Sequence, residues 1–262
     1  MSRLLAGFAV IGLVYAQDTL KFEVASLKPS DPGTRGGGIR PAPGGERYLA
    51  TNATLKSFMT VAYRIKGDQV TGGPSWVDTD RYDMNAKAEK PSSIEDLHTM
   101  LKNLLADEFK LKFHRETKEL PVYALVLDKD GPKMTPHESK SASETAGETW
   151  IAISNDPPPA FLRTKWHGTL VPMEYLAFRL GEIMDRPVID LTQLKGSYDF
   201  DLSFTRELPP GVPEGARING ELIDTSGPPI FESIRKLGLR LERQKGPVEI
   251  MVIDHAEKPA GN

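Results

Sequence analysis

Three local patterns in this sequence could do chemistry. His114 and Glu116 alternate with Arg115 in a segment that reads as a strand, so both side chains share one face and could form an acid–base pair. The alternation Lys112, His114, Glu116 also describes an ordinary solvated strand face, which is the simpler reading. Asp78, Asp80 and Asp83 gather carboxylates in a short stretch. A calcium loop wants oxygen ligands at that density and a glycine for its sharp turn. Arg81 and Tyr82 stand there instead, and a structural job is expected for Asp83. Trp150 and Trp166 flank Pro157-Pro158-Pro159 and are candidates for an exposed aromatic surface that stacks on a ligand. Trp76, beside Gly73-Pro74, reads as a core plug under a turn.

Other chemistries lack their residues. The histidines are His98, His114, His137, His167 and His255, and no two stand at metal-ligand spacing. His98 flanks the apolar stripe of a helix, where it would be partly buried. No Gly-x-Ser-x-Gly elbow offers an acyl-transfer serine. Gly33-Thr34-Arg35-Gly36-Gly37-Gly38 is glycine-rich but lacks the Lys-Ser/Thr pair and a following helix, so it reads as a loop and not a phosphate cradle. Cysteine is absent, which removes thiol catalysis, thiolate metal sites and disulfides. A formal charge of −3 gives no basic face for nucleic acid. The residues therefore indicate no catalytic set, no metal and no cofactor. Trp150, Trp166, His114 and Glu116 remain as ligand-binding candidates.

The elements that would position these groups follow from periodicity. Strands are expected over 21–28, 47–51, 69–71, 82–88, 110–115 and 122–127. Thr54 can cap a helix carrying Leu55, Phe58, Met59, Ala62 and Tyr63. The clearest helix is 93–107, with Ser92 and Glu95 at capping-box spacing and a stripe of Ile94, Leu97, Leu101, Leu104 and Leu105. Later come strands over 161–165, 188–190, 198–204, 239–243 and 248–254, and helices over 173–184 and 230–237. Phe58, Tyr63, Trp76, Leu101, Leu105 and Phe109 are expected to fill the core of the first half, and Leu176, Leu180, Tyr198, Ile234, Leu237 and Ile250 that of the second.

The order repeats. Asn52-Ala53-Thr54-Leu55 is echoed by His167-Gly168-Thr169-Leu170, and Arg81-Tyr82-Asp83-Met84-Asn85 by Ser197-Tyr198-Asp199-Phe200-Asp201, in nearly one register. This suggests an α+β fold of two duplicated β-α-β-β-α-β-β halves with mixed or antiparallel sheets, in which Thr54 lies over Thr169 and Tyr82 over Tyr198. Residues 1–16 read as a signal peptide: Arg3, an apolar run from Leu4 to Val14, and Val14-Tyr15-Ala16 before Gln17. The run is too short to span a bilayer, which takes about 20 residues, so no membrane span is expected after cleavage. Residues 17–128 form the first half. The polar tract 129–149 reads as a mobile linker. Residues 150–262 form the second half, with a Pro/Gly insertion at 207–227.

Several of these segments carry a resemblance. Phe22-Glu23-Val24-Ala25-Ser26-Leu27-Lys28-Pro29, Gly72-Gly73-Pro74-Ser75-Trp76, Leu104-Leu105-Ala106-Asp107-Glu108-Phe109-Lys110-Leu111, His114-Arg115-Glu116-Thr117-Lys118-Glu119-Leu120-Pro121-Val122-Tyr123, Arg186-Pro187-Val188-Ile189-Asp190 and Gly246-Pro247-Val248-Glu249 stand together. In combination they resemble the soil-associated, acidobacterial-type family of exported hypothetical proteins, over nearly the whole of the chain that would remain after signal cleavage. The resemblance implies an exported domain of unknown function. It also implies that some relatives are similar domains attached to BlaR-type sensor peptidases, but this chain has no His-Glu-x-x-His, so that activity does not carry over. The expectation is a non-enzymatic ligand-binding or sensing domain of the cell envelope, periplasmic or extracellular, whose partner is a small molecule or an envelope protein. The alternatives are a hydrolase with a carboxylate or histidine site, and a structural protein that docks a partner along a sheet edge.

Overall fold

The computed structural model describes residues 20–137, 151–209 and 211–260. The signal-peptide segment, Trp150 and most of the tract read as a linker lie outside the described residues. The elements run β1 (Val24–Pro29), β2 (Gly38–Pro41), β3 (Arg47–Ala53), α1 (Leu55–Tyr63), β4 (Val70–Gly72), α2 (Trp76–Thr79), β5 (Tyr82–Lys87), α3 (Ile94–Glu108) and β6 (Lys112–Leu127). They continue with β7 (Thr135–His137), β8 (Ile151–Asn155), β9 (Arg163–Pro172), α4 (Met173–Ile183), β10 (Val188–Asp190), β11 (Ser197–Thr205), β12 (Arg217–Ile218), β13 (Glu221–Leu222), α5 (Ile230–Ser233) and β14 (Leu239–His255). The fold is α+β, with antiparallel and mixed sheets.

Two helices, α1 and α3, start where a side chain satisfies a free N–H group. Thr54 Oγ1 accepts from Ser57 N at the start of α1. Ser93 Oγ accepts from Asp96 N at the start of α3, so the cap is one residue later than the Ser92–Glu95 spacing suggested. Ser92 instead donates its hydroxyl to Lys90 O. On α3 the stripe Ile94, Leu97, Leu101, Leu104 and Leu105 is buried as expected. Of the expected core residues, Tyr63 and Trp76 are only half-buried; the other ten are buried. Trp76 stacks at 6.2 Å on Phe109, and Lys258 Nζ lies 6.0 Å from its ring centre.

One sheet is ordered β1-β5-β3-β2 and another β7-β11-β9-β8. In each, a short strand and a hairpin partner flank a central antiparallel pair. In each central pair the register slips at a bulge, near Asn52 in β3 and near Leu170 in β9. Both residues take the left-handed region, with φ of 54° and 55°. Each donates its backbone N–H to a carboxylate across the sheet, Asn52 to Asp83 Oδ1 and Leu170 to Asp199 Oδ1, both at 2.9 Å. A second donor completes each carboxylate: the Ser30 hydroxyl at 2.6 Å for Asp83, and His137 Nδ1 at 2.7 Å for Asp199. Asp83 thus has a structural job. A helix follows each bulge directly. The expected match of Thr54 with Thr169 is corrected here: Thr54 begins α1 as Pro172 begins α4, while Thr169 lies inside β9. What the two sheets share is the bulge and its carboxylate, not the position of the Thr-Leu letters.

The sheet between them is ordered β10-β6-β14-β4. Here four expected strands merge into two. β6 and β14 run antiparallel from Lys112 opposite His255 to Leu127 opposite Leu239. Pro121 does not break β6. The Tyr123 N–H points to β10 and bonds Pro187 O. Two residues earlier the same side lies beyond the end of β10, so the missing proline N–H has no strand partner to lose. The edges of this sheet are exchanged: β4 pairs in parallel with β14, and β10 with β6.

Two loops are more ordered than their composition suggested. Within the tract read as a linker, β7 joins the β11 edge and buries Met134. In the insertion, β12 and β13 form a small hairpin. Its far end is pinned by Arg163, whose Nη2 donates to Asp224 Oδ2 at 2.6 Å and to Ser226 Oγ at 2.8 Å. Among the described residues no helix is long and apolar enough to cross a membrane.

Candidate functional site

A cavity of about 980 Å³ opens between the β2–β3 hairpin, α1, α3 and α4. Each element supplies one face. From α1 come Ser57, Thr60 and Val61, and from α3 come Ile94 and His98, one turn apart. From α4 come Tyr175, Phe178, Arg179 and Glu182, which share one side of the helix. The opposite stripe of α4, Met173, Leu176, Ala177 and Leu180, is buried in the core, so the cavity-facing side chains are held on a rigid element.

The mouth is built on Asn52. Its side-chain Nδ2 donates to Gly36 O at 2.8 Å, which ties the glycine loop down across β3. Arg81 Nη1 donates to Asn52 O at 3.0 Å. Gly37 lies so close to β3 that a Cβ there would stand 2.4 Å from Thr51 O. The glycine run is a loop, as its sequence indicated, and its glycines serve a close approach of two backbones. The bulge held by Asp83 therefore positions both the rim loop and Arg81.

Burial dominates the electrostatics of the cavity wall. Tyr48 and His98 are buried and their rings lie 5.8 Å apart. Burial raises the Tyr48 phenol well above its ordinary range; a weaker effect of Tyr175 acts the same way and Arg64 opposes it. Burial pushes the His98 imidazole down to about 3, helped by the positive charges of Arg64 and Lys102. His98 is therefore neutral at any ordinary pH. Burial also raises the Glu182 carboxyl, against the pull of Arg179. Arg64 braces the helices from behind: its guanidinium pairs with Glu95 of α3 at 2.9 Å and Glu174 of α4 at 3.4 Å, and lies 5.4 Å from the Tyr175 ring centre.

Two polar atoms of the wall are left over. His98 Nδ1 is buried without a hydrogen-bond partner among the described residues. Arg179 Nε lies 2.9 Å from Glu182 Oε2 but off the line a hydrogen bond needs, so this buried N–H is also unsatisfied. Arg240 Nε is the third such atom among the described residues, and Arg240 does not line the cavity. Buried unpartnered groups are rare because each costs about 1–3 kcal/mol, and two of them lie in this wall.

The chain belongs to the DUF3738 family, a family of proteins of unknown function. The family match covers residues 56–256. No curated protein and no solved structure matches the chain. The matched segment contains the α3 and α4 walls of the cavity; the glycine loop, Arg40 and Tyr48 precede it.

The residues singled out in the sequence lie elsewhere. His114 and Glu116 do share a face of β6, with Nε2 and Oε1 3.6 Å apart. Asp254 on β14, which sequence spacing could not supply, accepts a hydrogen bond from His114 Nδ1 at 2.8 Å. That bond, with smaller effects from Glu116, raises the His114 pKa, and Lys118 lowers that of Glu116. The group is about half exposed on the long ribbon and lines none of the cavity. Trp166 corrects the expectation of an exposed aromatic surface. It is buried, and packs edge-on against Phe204 at 5.3 Å, because β9 alternates inward at Thr164, Trp166 and Gly168. Trp150 lies outside the described residues. The Asp78–Asp83 carboxylates are held apart: Asp78 pairs with Lys56, Asp80 with Lys258, and Asp83 serves the bulge. Among the described residues no cluster could hold a metal ion.

The cavity residues gave one usable signal in the sequence. On α4 the stripe Tyr175, Phe178, Arg179, Glu182 stands opposite an apolar stripe, and nothing in an ordinary solvated face calls for two aromatics there.

Proposed function

We propose that this protein is a non-enzymatic, exported binding or sensing domain of the cell envelope, and that its ligand occupies the cavity between β2–β3, α1, α3 and α4. The observation that carries the reading is the pair of unsatisfied buried atoms, His98 Nδ1 and Arg179 Nε, in the wall of one cavity. The volume is at the upper end of the range for small-molecule sites, about 300–1,000 Å³. Binding is favoured over catalysis by the titration of the wall. A general acid or base works best with a pKa near the operating pH, whereas His98 is pushed to about 3 and Tyr48 far upward. Export rests on the order of charge, apolar run and small residues before Gln17. Mass spectrometry of the exported protein should find its N-terminus near Gln17, and a full-length cytoplasmic product would refute export.

Val61→Trp, which fills the cavity from α1, tests the binding reading. A ligand at one hundred times its Kd stabilises the folded state by about 2.7 kcal/mol, a rise of about 5–10 °C in Tm for a chain of this size. Thermal-shift screening of acids, bases, sugars and lipids should find compounds that stabilise the wild type and not Val61→Trp. Compounds that stabilise both equally, or a screen with no stabiliser, would refute the cavity as the site.

A further inference from the structure

We infer that the cavity takes an amphipathic organic anion: an aromatic or alicyclic body held between the rings of the wall, with one acidic group at the arginine rim. This deepens the reading above and rests on it.

The wall has a gradient of polarity. Its floor is ring and hydrocarbon: Tyr48, His98, Ile94 and Ala53 are all buried. Tyr175 and Phe178 of α4 stand against them from the other side, their ring centres 6.0 Å apart. Rings on two sides suit a flat body, since aromatic faces and edges attract one another and displace water. A sugar or another highly hydroxylated body would leave most of its hydrogen bonds unmade on this floor.

The rim is cationic and incompletely neutralised. Arg40 has no ion-pair or hydrogen-bond partner among the described residues, and Arg81 bonds only the neutral Asn52 O. Both are exposed, and both line the cavity. Among the described residues Glu182 is the sole carboxylate of the lining, and Arg179 already accompanies it. The lining thus presents three arginines to one glutamate. An acidic group placed among them would accept charge-assisted hydrogen bonds, which are the strong ones in proteins, and guanidinium geometry suits a carboxylate, sulfonate or phosphate. It would also draw the Arg179 guanidinium away from its misaligned contact with Glu182. Inside, the neutral His98 ring offers one hydrogen bond to a polar atom on the body, which orients it.

The size excludes a bare inorganic anion as the cognate ligand. Sulfate or phosphate would fill a small part of about 980 Å³ and leave the aromatic floor in water.

The test uses the mature chain and three probes: the aromatic sulfonate 8-anilino-1-naphthalenesulfonate, its uncharged relative N-phenyl-1-naphthylamine, and inorganic sulfate. Fluorescence titration of natively folded protein should show one saturable site for the sulfonate, about tenfold or more tighter than for the uncharged amine. Arg40→Gln and Arg81→Gln should each weaken the sulfonate about tenfold and leave the amine unchanged, and added salt should do the same. Sulfate alone should raise Tm little. Equal affinity for sulfonate and amine, or indifference to both arginines, would overturn the anion assignment. If Val61→Trp still abolished binding in that case, the cavity would stand as the site and only its ligand class would fall. Sulfonate binding that survives Val61→Trp would remove the site itself. Sulfate that stabilises as strongly as the sulfonate would point to a simple anion site and overturn the amphipathic assignment.

Discussion

Removing the Asp83 carboxylate should unfasten the bulge of β3, and the cost can be worked from its two bonds. Asp83→Ala deletes the acceptor for Asn52 N at 2.9 Å and for the Ser30 hydroxyl at 2.6 Å. A hydrogen bond to a charged group contributes about 1.5–3 kcal/mol. Both bonds are part-buried, so water replaces some of each, which puts each near the lower end and the total near about 3 kcal/mol. For a chain of this length that is a fall of about 6–12 °C in Tm. Asp83→Asn keeps an oxygen in place but offers only neutral bonds of about 0.5–1.5 kcal/mol each, so it should lose about half as much. Asp199→Ala removes the twin acceptor, for Leu170 N and His137 Nδ1, and should cost a similar amount. The pH dependence has a fixed sign. The Ser30 and Asn52 bonds hold the Asp83 carboxyl below its ordinary range. At Asp199, burial pushes upward and is outweighed by the Leu170 and His137 bonds, so its carboxyl is lowered too. A depressed folded value means stability that is complete above the unfolded value of about 3.9 and is lost as pH falls through the folded one. Thermal melts from pH 7 to pH 2.5 should therefore show wild type and Asp83→Asn converging below about pH 4. A Tm change under about 1 °C for Asp83→Ala, or a gap to Asp83→Asn that widens in acid, would refute this account of the bulge.

Leu101 is fully buried on α3, so Leu101→Ala should cost about 2–5 kcal/mol from lost transfer energy and a cavity; chemical denaturation would read it, and a cost under about 0.5 kcal/mol would make it a surface position. His98→Phe removes a buried unsatisfied nitrogen while keeping a ring against Tyr48. It should raise stability by about 1 kcal/mol and weaken ligands of the cavity, a trade seen in melts and titrations of one variant; lower stability would mean that Nδ1 is satisfied.

Local features were legible in the sequence, and features made by distant parts were not. The Thr54 cap, the apolar stripe of α3 and the run of strands follow from spacing within a few residues, and they hold. Ser92 and Ser93 could each cap α3, and only the backbone decides between them. Breaks were expected over 116–121 and 244–247, between the strands read from the sequence, but β6 and β14 support each other through both stretches. Trp166 was misplaced because β9 was read too short to show its alternation. The cavity was hidden for a deeper reason. Tyr48, His98 and Arg179 come from a strand and two helices far apart in the chain, and no spacing relates them. His98 could be seen beside an apolar stripe, but its lost hydrogen bond could not.

The exchange of β4 and β10 in the central sheet bears on how the molecule can be divided. The first half, cut away, would lose β14, which pairs with both β4 and β6; the second half would lose β6, which pairs with both β10 and β14. Neither is a separable folding unit, so the chain should melt in one cooperative step even with its connecting tract cleaved. The seam also has the geometry of an isologous contact: the long strands of the two halves meet head to tail, and each half gives its short strand to the other's long strand. A polypeptide containing only one such half could in principle bury the same edges by pairing with an identical copy about a two-fold axis.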